Sequence, residues 1–412
     1  MPLWQYLHYF IVFWRMPPLL ASRRVERVEG TRYTEKKKGE EQRRSGGGHG
    51  DAEPAGRAGK ERDPGNREMI EIDGSHGEGG GQILRTALCL SCLCRKPFRI
   101  VNIRKGRKRP GLMPQHLASV RAAQAICGAD VEGNRKGSVE LVFSPGEVKA
   151  GDVSLDVGTA GSTLLVLQTI LPALLSARGK STVTIKGGTH VPFSPSYHYA
   201  AGVLLPMLRR LGVDASLAIE SYGFYPRGGG KIYAEIVPAK GVRPLRLPDR
   251  GKILAVTGWS AAGNLPLSIA LRQRDAARKS LASRMGNETF PVDIEVLSVP
   301  TPGQGTFLFL VVETEHCVAG FASLGERGKR AETVGEEAAA ALAAHCETGT
   351  SLDPHLPDQL ALYLAMCGED STFSTSRVTE HLVTNLWTIG LFRECRYAVE
   401  GEIGKAGTVR IT

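Results

Sequence analysis

Three stretches of the chain hold residues whose types and spacing suit phosphate chemistry. The first is Asp73-Gly-Ser-His-Gly-Glu-Gly-Gly-Gly-Gln-Ile-Leu-Arg85, a glycine cluster with Glu78 inside it and Arg85 just beyond. Glycines leave backbone N–H groups open to an anion at the start of a helix, where the dipole favours negative charge. The spacing fits neither G-x-x-x-x-G-K-[ST] nor G-x-G-x-x-G, and a merely tight turn is the competing reading. The second runs Ile103-Arg104-Lys105-Gly106-Arg107-Lys108-Arg109-Pro110-Gly111-Leu112-Met113-Pro114-Gln115-His116. So many cations in one short loop exceed what an amphipathic element needs, and guanidinium groups there can grip phosphate oxygens bidentately. Gln115 and His116 then open a helix pointing the same way; a solvated charge run is the alternative. The third joins Asp353-Pro-His355-Leu-Pro-Asp358-Gln359 to Thr379-Glu-His381-Leu-Val-Thr-Asn385. Val378, Leu382, Leu386 and Ile389 form an apolar stripe, while His381, Thr384, Asn385 and Thr388 lie off it. His381 stands in a first helical turn, where the dipole disfavours imidazolium, and a nitrogen nucleophile must be neutral. An ordinary surface histidine remains the plainer reading. The turns Gly187–Pro192 and Gly223–Gly230 would each be structural if taken alone.

The elements that must position these residues recur. Strand, helix, strand, helix and paired strands follow one another through Met69–Asp73, Gln82–Cys94, Phe98–Ile103, Gln115–Cys127 and a hairpin over 130–143. The pattern returns through Val153–Val157, Gly161–Ala177, Thr182–Lys186, Ser196–Leu211 and a hairpin over 213–237. A third pass over 328–412 reads helix, helix, strand, helix and two strands, whereas 245–325 carries its own strands and a helix near 267–285. The expectation is an α/β (α+β) chain: three βαβαββ units form a large domain over 69–244 and 326–412, with a smaller α/β domain inserted at 245–325.

Residues 1–68 differ in kind, mixing Arg, Lys, Glu and Gly with little to bury; they are expected to be disordered. Since Met69 opens the first strand, one reading of this extension is upstream sequence translated from an early start codon. Met1–Leu20 makes a poor signal peptide and is too interrupted to span a membrane, so a cytoplasmic, non-membrane protein is expected. Of the net charge of +10, residues 69–412 carry +6, which suits a polyanionic partner as well as ordinary solubility. The eight cysteines suggest reduced thiols, and Cys89, Cys92 and Cys94 sit among leucines as small hydrophobes rather than zinc ligands.

Together the glycine cluster, Ile-Arg-Lys-Gly-Arg with Pro-Gly-Leu and Gln-His, Gly-Phe-Tyr-Pro-Arg-Gly-Gly-Gly, and His-Leu-Val-Thr-Asn resemble, in order, the RNA 3′-terminal phosphate cyclase family over about 69–412. The resemblance implies three βαβαββ units with an inserted domain, ATP as cosubstrate, a divalent ion (Mg or Mn) and an RNA with a 3′-phosphate end as partner. It implies that ATP adenylates a histidine, that AMP passes to the RNA 3′-phosphate, and that the 2′-hydroxyl then closes a 2′,3′-cyclic phosphate and releases AMP. His381 matches the adenylated histidine and Glu78 a residue near metal and phosphate. Arg85, Arg104, Arg107, Gln115 and His116 match the phosphate-binding set, and Pro192, Asp358 and Gln359 the nucleotide site. His355 stands where bacterial members carry a tyrosine against adenine, and Tyr222 where arginine or histidine is expected. Two other readings share the scaffold: ribosome-assembly relatives, which lack the nucleophilic histidine, and enolpyruvyl transferases, whose anionic substrates would also suit the arginines.

Overall fold

The computed structural model describes residues 69–286 and 290–412; the expected disorder of 1–68 lies outside the described residues. The first helix-bearing sheet is built from β1 (Ile70–Asp73), α1 (Gln82–Cys94), β2 (Phe98–Val101), α2 (Pro114–Cys127), β3 (Asp130–Glu132) and β4 (Leu141–Ser144). Its strand order is β1-β2-β4-β3, with β1 and β2 parallel and the other pairs antiparallel. The second uses β5 (Asp152–Asp156), α3 (Thr163–Leu174), β6 (Ser181–Gly187), a helix α4 over 197–210 with a π-helical stretch, β7 (Ala215–Ser221) and β8 (Gly230–Ile236). Its order is β5-β6-β8-β7, again with one parallel pair at the start.

The short strand β9 (Arg246–Leu247) leaves that sheet behind and pairs in parallel with a strand more than a hundred residues later. Between them lie β10 (Ile253–Gly263), α5 (Leu267–Arg284), β11 (Val292–Ser298), β12 (Gly305–Thr314), β13 (Val318–Leu324) and α6 (Ala331–Thr348). The chain then returns through α7 (Leu356–Cys367), β14 (Ser371–Thr375), α8 (Glu380–Phe392), β15 (Tyr397–Glu400) and β16 (Gly407–Ile411). The last sheet runs β15-β16-β14-β9, and the intervening one β11-β10-β12-β13. The chain is thus α/β, with four small mixed sheets among the described residues and helices against them, as its alternating patterns lead one to expect. No described helix is long and apolar enough to cross a membrane.

Two features of the interior fix what faces the site. Helix α1 is buried from Gln82 to Cys92 except at Arg85, because its residues are apolar on nearly every side; it packs against α2, α3 and α8 at the centre of the molecule. Strand β12 is also buried on both faces. Phe307, Phe309 and Val311 join the main core, while Leu308, Leu310 and Val312 join a second core with Val334, Ala338 and Leu342 of α6. Helix α6, grouped from its sequence with the chain's last pass, therefore packs on the β10–β13 sheet and on α5.

Cys89, Cys92 and Cys127 are buried among apolar residues, and Cys94 is partly exposed. Burial pushes the Cys89 thiol up, out of the range of a ready metal ligand.

Candidate active site

The glycine turn lets three helices meet. A Cβ at Gly77, where φ is +54°, would stand 2.4 Å from the Thr384 hydroxyl of α8, and one at Gly81 would stand 2.3 Å from Nε2 of His116 on α2. Only residues without side chains allow both approaches. The turn is then pinned by the Glu78 N–H, which donates to Thr384 Oγ1 at 3.2 Å. Gly81 caps α1 with no side-chain hydrogen bond, and no acidic residue occupies the first turn.

His381 lies in the first turn of α8, whose N-cap Thr379 accepts from the Leu382 N–H at 3.1 Å. Its side chain is 51% exposed, in keeping with a position off the apolar stripe. Nδ1 is hydrogen-bonded to Gln82 Oε1, and Nε2 stands 3.9 Å from Glu78 Oε1. Gln82 in turn donates from Nε2 to Asp358 Oδ2 at 3.2 Å. The Gln82 amide nitrogen thus faces Asp358 and its oxygen faces the imidazole. Glu78 is ion-paired with Arg107, which also donates to the Glu78 carbonyl at 3.2 Å. The second carboxylate oxygen, Oε2, is buried without a hydrogen-bond partner.

Burial and neighbouring cations set the protonation states. The His381 pKa is held below the usual histidine range, first by burial and then by Arg85, His355 and Arg107, against a smaller opposing effect of Glu380. Burial lowers Arg85 to about 10, with Asp358 opposing. Asp358 is pushed up to about 7 by burial, countered in part by Arg85 and reinforced by Asp353. His116 falls to about 3 through burial, Arg85 and Arg104, so it is a neutral ring whose Nδ1 accepts from the Met113 N–H at 3.1 Å.

A cleft of about 630 Å³ opens beside these groups, lined by Arg85, Pro192, His355, Asp358, Gln359 and His381 among others. Glu78, Arg104, Arg107, Gln115 and His116 do not line it; Glu78 joins Arg107 to the cleft-lining His381, and His116 lies against Gly81. Gln115 and His116 do not point the same way as expected. Successive helical residues diverge by about 100°, and Gln115 instead accepts from the Ser162 N–H at 3.2 Å, across at the start of α3. Arg104, with φ +55°, turns its guanidinium back on its own loop, donating to the carbonyls of Arg109 at 2.7 Å and Gly111 at 3.0 Å.

Thr384, Asn385 and Thr388, read as a polar face, are buried. Asn385 bridges the layer, accepting from the Thr86 hydroxyl at 2.6 Å and donating to the Asp358 carbonyl at 2.6 Å. Gln82 and Asn385 belong to the motifs read from the sequence, which assigned them no role; the signal that they have one is burial, because a buried amide must have partners.

Comparison with known proteins gives the family. The family model described as RNA 3′-terminal phosphate cyclase matches residues 76–399. The RNA 3′-terminal phosphate cyclase of Methylococcus capsulatus is 46% identical over 353 residues, covering 83% of this chain and 96% of its own length. That of Caldivirga maquilingensis is also 46% identical, covering 79% of this chain and 92% of its own length. Among solved structures, the enolpyruvyl transferase NikO from Streptomyces tendae aligns at 12% identity with a TM-score of 0.31, covering 84% of this chain and 49% of that one, and nothing follows from so loose an overlap. On the family match and the near full-length relatives, this chain is an enzyme that belongs to the RNA 3′-terminal phosphate cyclase family.

Proposed function

We propose that the chain converts an RNA 3′-terminal phosphate to a 2′,3′-cyclic phosphate, with ATP as activator and His381 as the residue that carries AMP. The observation that carries this reading is the placement of His381: a neutral imidazole, oriented by Gln82, beside Glu78 and Arg85 at a cleft of nucleotide size. Because the Gln82 oxygen accepts, the ring proton sits on Nδ1 and the lone pair on Nε2. Nε2 attacks the α-phosphorus of ATP; the N–P bond forms as the bond to diphosphate breaks. An oxygen of the RNA 3′-phosphate then displaces the imidazole from phosphorus, giving an RNA–AMP anhydride. The vicinal 2′-hydroxyl attacks the 3′-phosphorus, loses its proton and expels AMP, which closes the ring.

Arg85 faces the cleft as a fixed cation, able to offset charge that builds on the α-phosphate in the transition state. Arg107, ion-paired with Glu78, is assigned to the phosphates, whereas the Arg104, Gln115 and His116 side chains are bonded within the protein and hold the loop and the starts of α2 and α3. Pro192, His355, Asp358 and Gln359 are assigned to the nucleoside side; Gln359 donates to the His355 carbonyl at 2.8 Å and so holds the end of α7.

Glu78 also fits a divalent ion such as Mg or Mn, because its Oε2 is a buried oxygen with no other partner. No group of three or more His, Cys, Asp or Glu gathers among the described residues. Glu78 would supply one carboxylate to an ion otherwise held by waters and substrate phosphates. When bound, the ion would offset charge on the phosphates and the leaving diphosphate.

Incubation with α-labelled ATP tests this reading. Acid-labile, alkali-stable label should appear on the wild-type protein and vanish in His381→Ala and His381→Asn, both folded because the side chain is half in solvent. Wild-type labelling of either variant removes His381 from the reaction.

A further inference from the structure

The loop after β2 carries more charge than the site uses. Lys105, Arg107, Lys108 and Arg109 are all exposed. Arg107 is occupied by Glu78, whereas Lys108 and Arg109 have no ion pair among the described residues. Lys105 has Asp73 within electrostatic reach, and Asp73 is already held by Ser75 and Asn102. A second exposed pair, Arg135 and Lys136, sits in the connection from β3 to β4, again without an ion pair among the described residues.

The two loops are one piece of structure. The Leu112 N–H donates to the Ser138 carbonyl at 2.9 Å, the Gly137 N–H to the Leu112 carbonyl at 2.8 Å, and the Ile103 N–H to the Val139 carbonyl at 3.0 Å. Gly111 approaches so closely that a Cβ there would stand 2.4 Å from the Gly137 carbonyl oxygen. Arg104, bonded to two carbonyls of its own loop, stiffens the same ledge. The nearby acids are mostly engaged: Glu140 and Glu71 both pair with Arg99, leaving Glu132 on the hairpin.

We infer that the 104–111 loop and the 133–140 connection form a ledge that binds the phosphate backbone of the RNA upstream of its 3′ end. The inference rests on RNA as the substrate. Like charges held side by side repel unless a polyanion screens them, and one terminal phosphate cannot screen both loops. The ledge reaches the reaction centre through Arg107, Glu78 and His381. No aromatic side chain stands in either loop, so the ledge reads backbone charge and not base identity.

Direct binding tests this without requiring turnover. The probe is a 5′-fluorescent single-stranded RNA of about 12 nucleotides ending in a 3′-phosphate, a length within the usual site size for such strands. Anisotropy titrations over a range of salt compare wild type with R135E/K136E. The expected result is binding weakened on the order of tenfold at low salt, with the slope of log K against log salt reduced by about 1.4, as for two lost phosphate contacts. Histidine labelling by ATP without RNA should be unchanged in the variant, since neither side chain touches the site.

Unchanged affinity and slope would overturn the ledge, whatever the labelling shows. If labelling also falls in R135E/K136E, the neutral R135Q/K136Q decides: a reduced slope with intact labelling supports the ledge, and an unreduced slope refutes it. A wild-type protein that never labels with ATP yet shows this salt-dependent loss would sink the histidine-AMP reading and leave the ledge standing.

Discussion

Replacing Gln82 by leucine removes the contact that orients His381, together with the bond to Asp358. Leucine keeps the volume and the apolar packing of α1 but removes the oxygen that accepts from Nδ1. In the resting enzyme the lost bond is between neutral groups, a net contribution of about 0.5–1.5 kcal/mol; once phosphorus bonds to Nε2 the ring gains positive character, and such bonds are stronger at about 1.5–3 kcal/mol. Only the difference, about 1–1.5 kcal/mol, falls on the rate, so adenylation should slow roughly tenfold. Rapid-quench labelling with saturating α-labelled ATP reads this step, and the loss should appear in the rate and not in the ATP concentration for half-saturation. Gln82→Glu restores an acceptor and adds charge, so it should recover most of the rate while moving the pH midpoint of labelling upward, because a carboxylate favours imidazolium. If Gln82→Leu labels within about twofold of wild type, or if Gln82→Glu fares no better at high pH, Gln82 does not set the ring.

Asp358→Asn should raise the thermal midpoint at pH 8 and leave it nearly unchanged at pH 4. The native carboxyl is held up to about 7, above its unfolded value, so the native state binds the extra proton and the aspartate weakens the fold progressively as pH rises through that interval; a midpoint at pH 8 equal to wild type would contradict the burial. Arg107→Lys should slow cyclisation by about 2 kcal/mol, roughly thirtyfold, because an ammonium cannot hold both the Glu78 carboxylate and its carbonyl, while circular dichroism stays unchanged. Near wild-type turnover in low salt would reduce the residue to general charge. Gly81→Ala forces a Cβ to 2.3 Å from His116, and relief of the clash should cost about 1–3 kcal/mol of stability along with activity; a denaturation midpoint equal to wild type would show that α2 yields freely.

The sequence made some parts of this arrangement easy to read and others hard, for reasons tied to particular residues. The apolar stripe of α8 was legible because Leu382, Leu386 and Ile389 recur at helical spacing; these three are buried, as is Val378, which precedes the helix and bridges to Ile403. Its opposite side misled, since Thr384, Asn385 and Thr388 look like a polar face and are instead buried: Thr384 holds the turn before α1, Thr388 donates to the Thr384 carbonyl, and Asn385 bridges Thr86 and Asp358. Periodicity sees polarity, not partners. The third glycine-flanked loop of the site, around Pro192, and the acidic Asp358 emerged only from motif order, because nothing local in either segment announces a cleft. Helix α6 shows the limit for packing: its alanine-rich face fits several neighbours, and the β10–β13 sheet that it covers is set by contacts far apart in sequence. Arg104 marks the limit for charge, as composition could not distinguish a guanidinium offered to phosphate from one spent on loop carbonyls.

Strand β12 works as a party wall. Alternate residues belong to two different interiors, so neither interior has a surface of its own on that side. The segment that interrupts the chain after β9 therefore cannot be lifted out like an appended module: cutting it away would strip Phe307 and Phe309 from beneath the buried His190–His198 pair and lay the main core open to water. A change in volume at Leu308 or Leu310 is likewise felt on both sides, since a rigid strand has no free face into which to relax. Grafting or trimming at this position would have to keep the wall and alter only the loops around it.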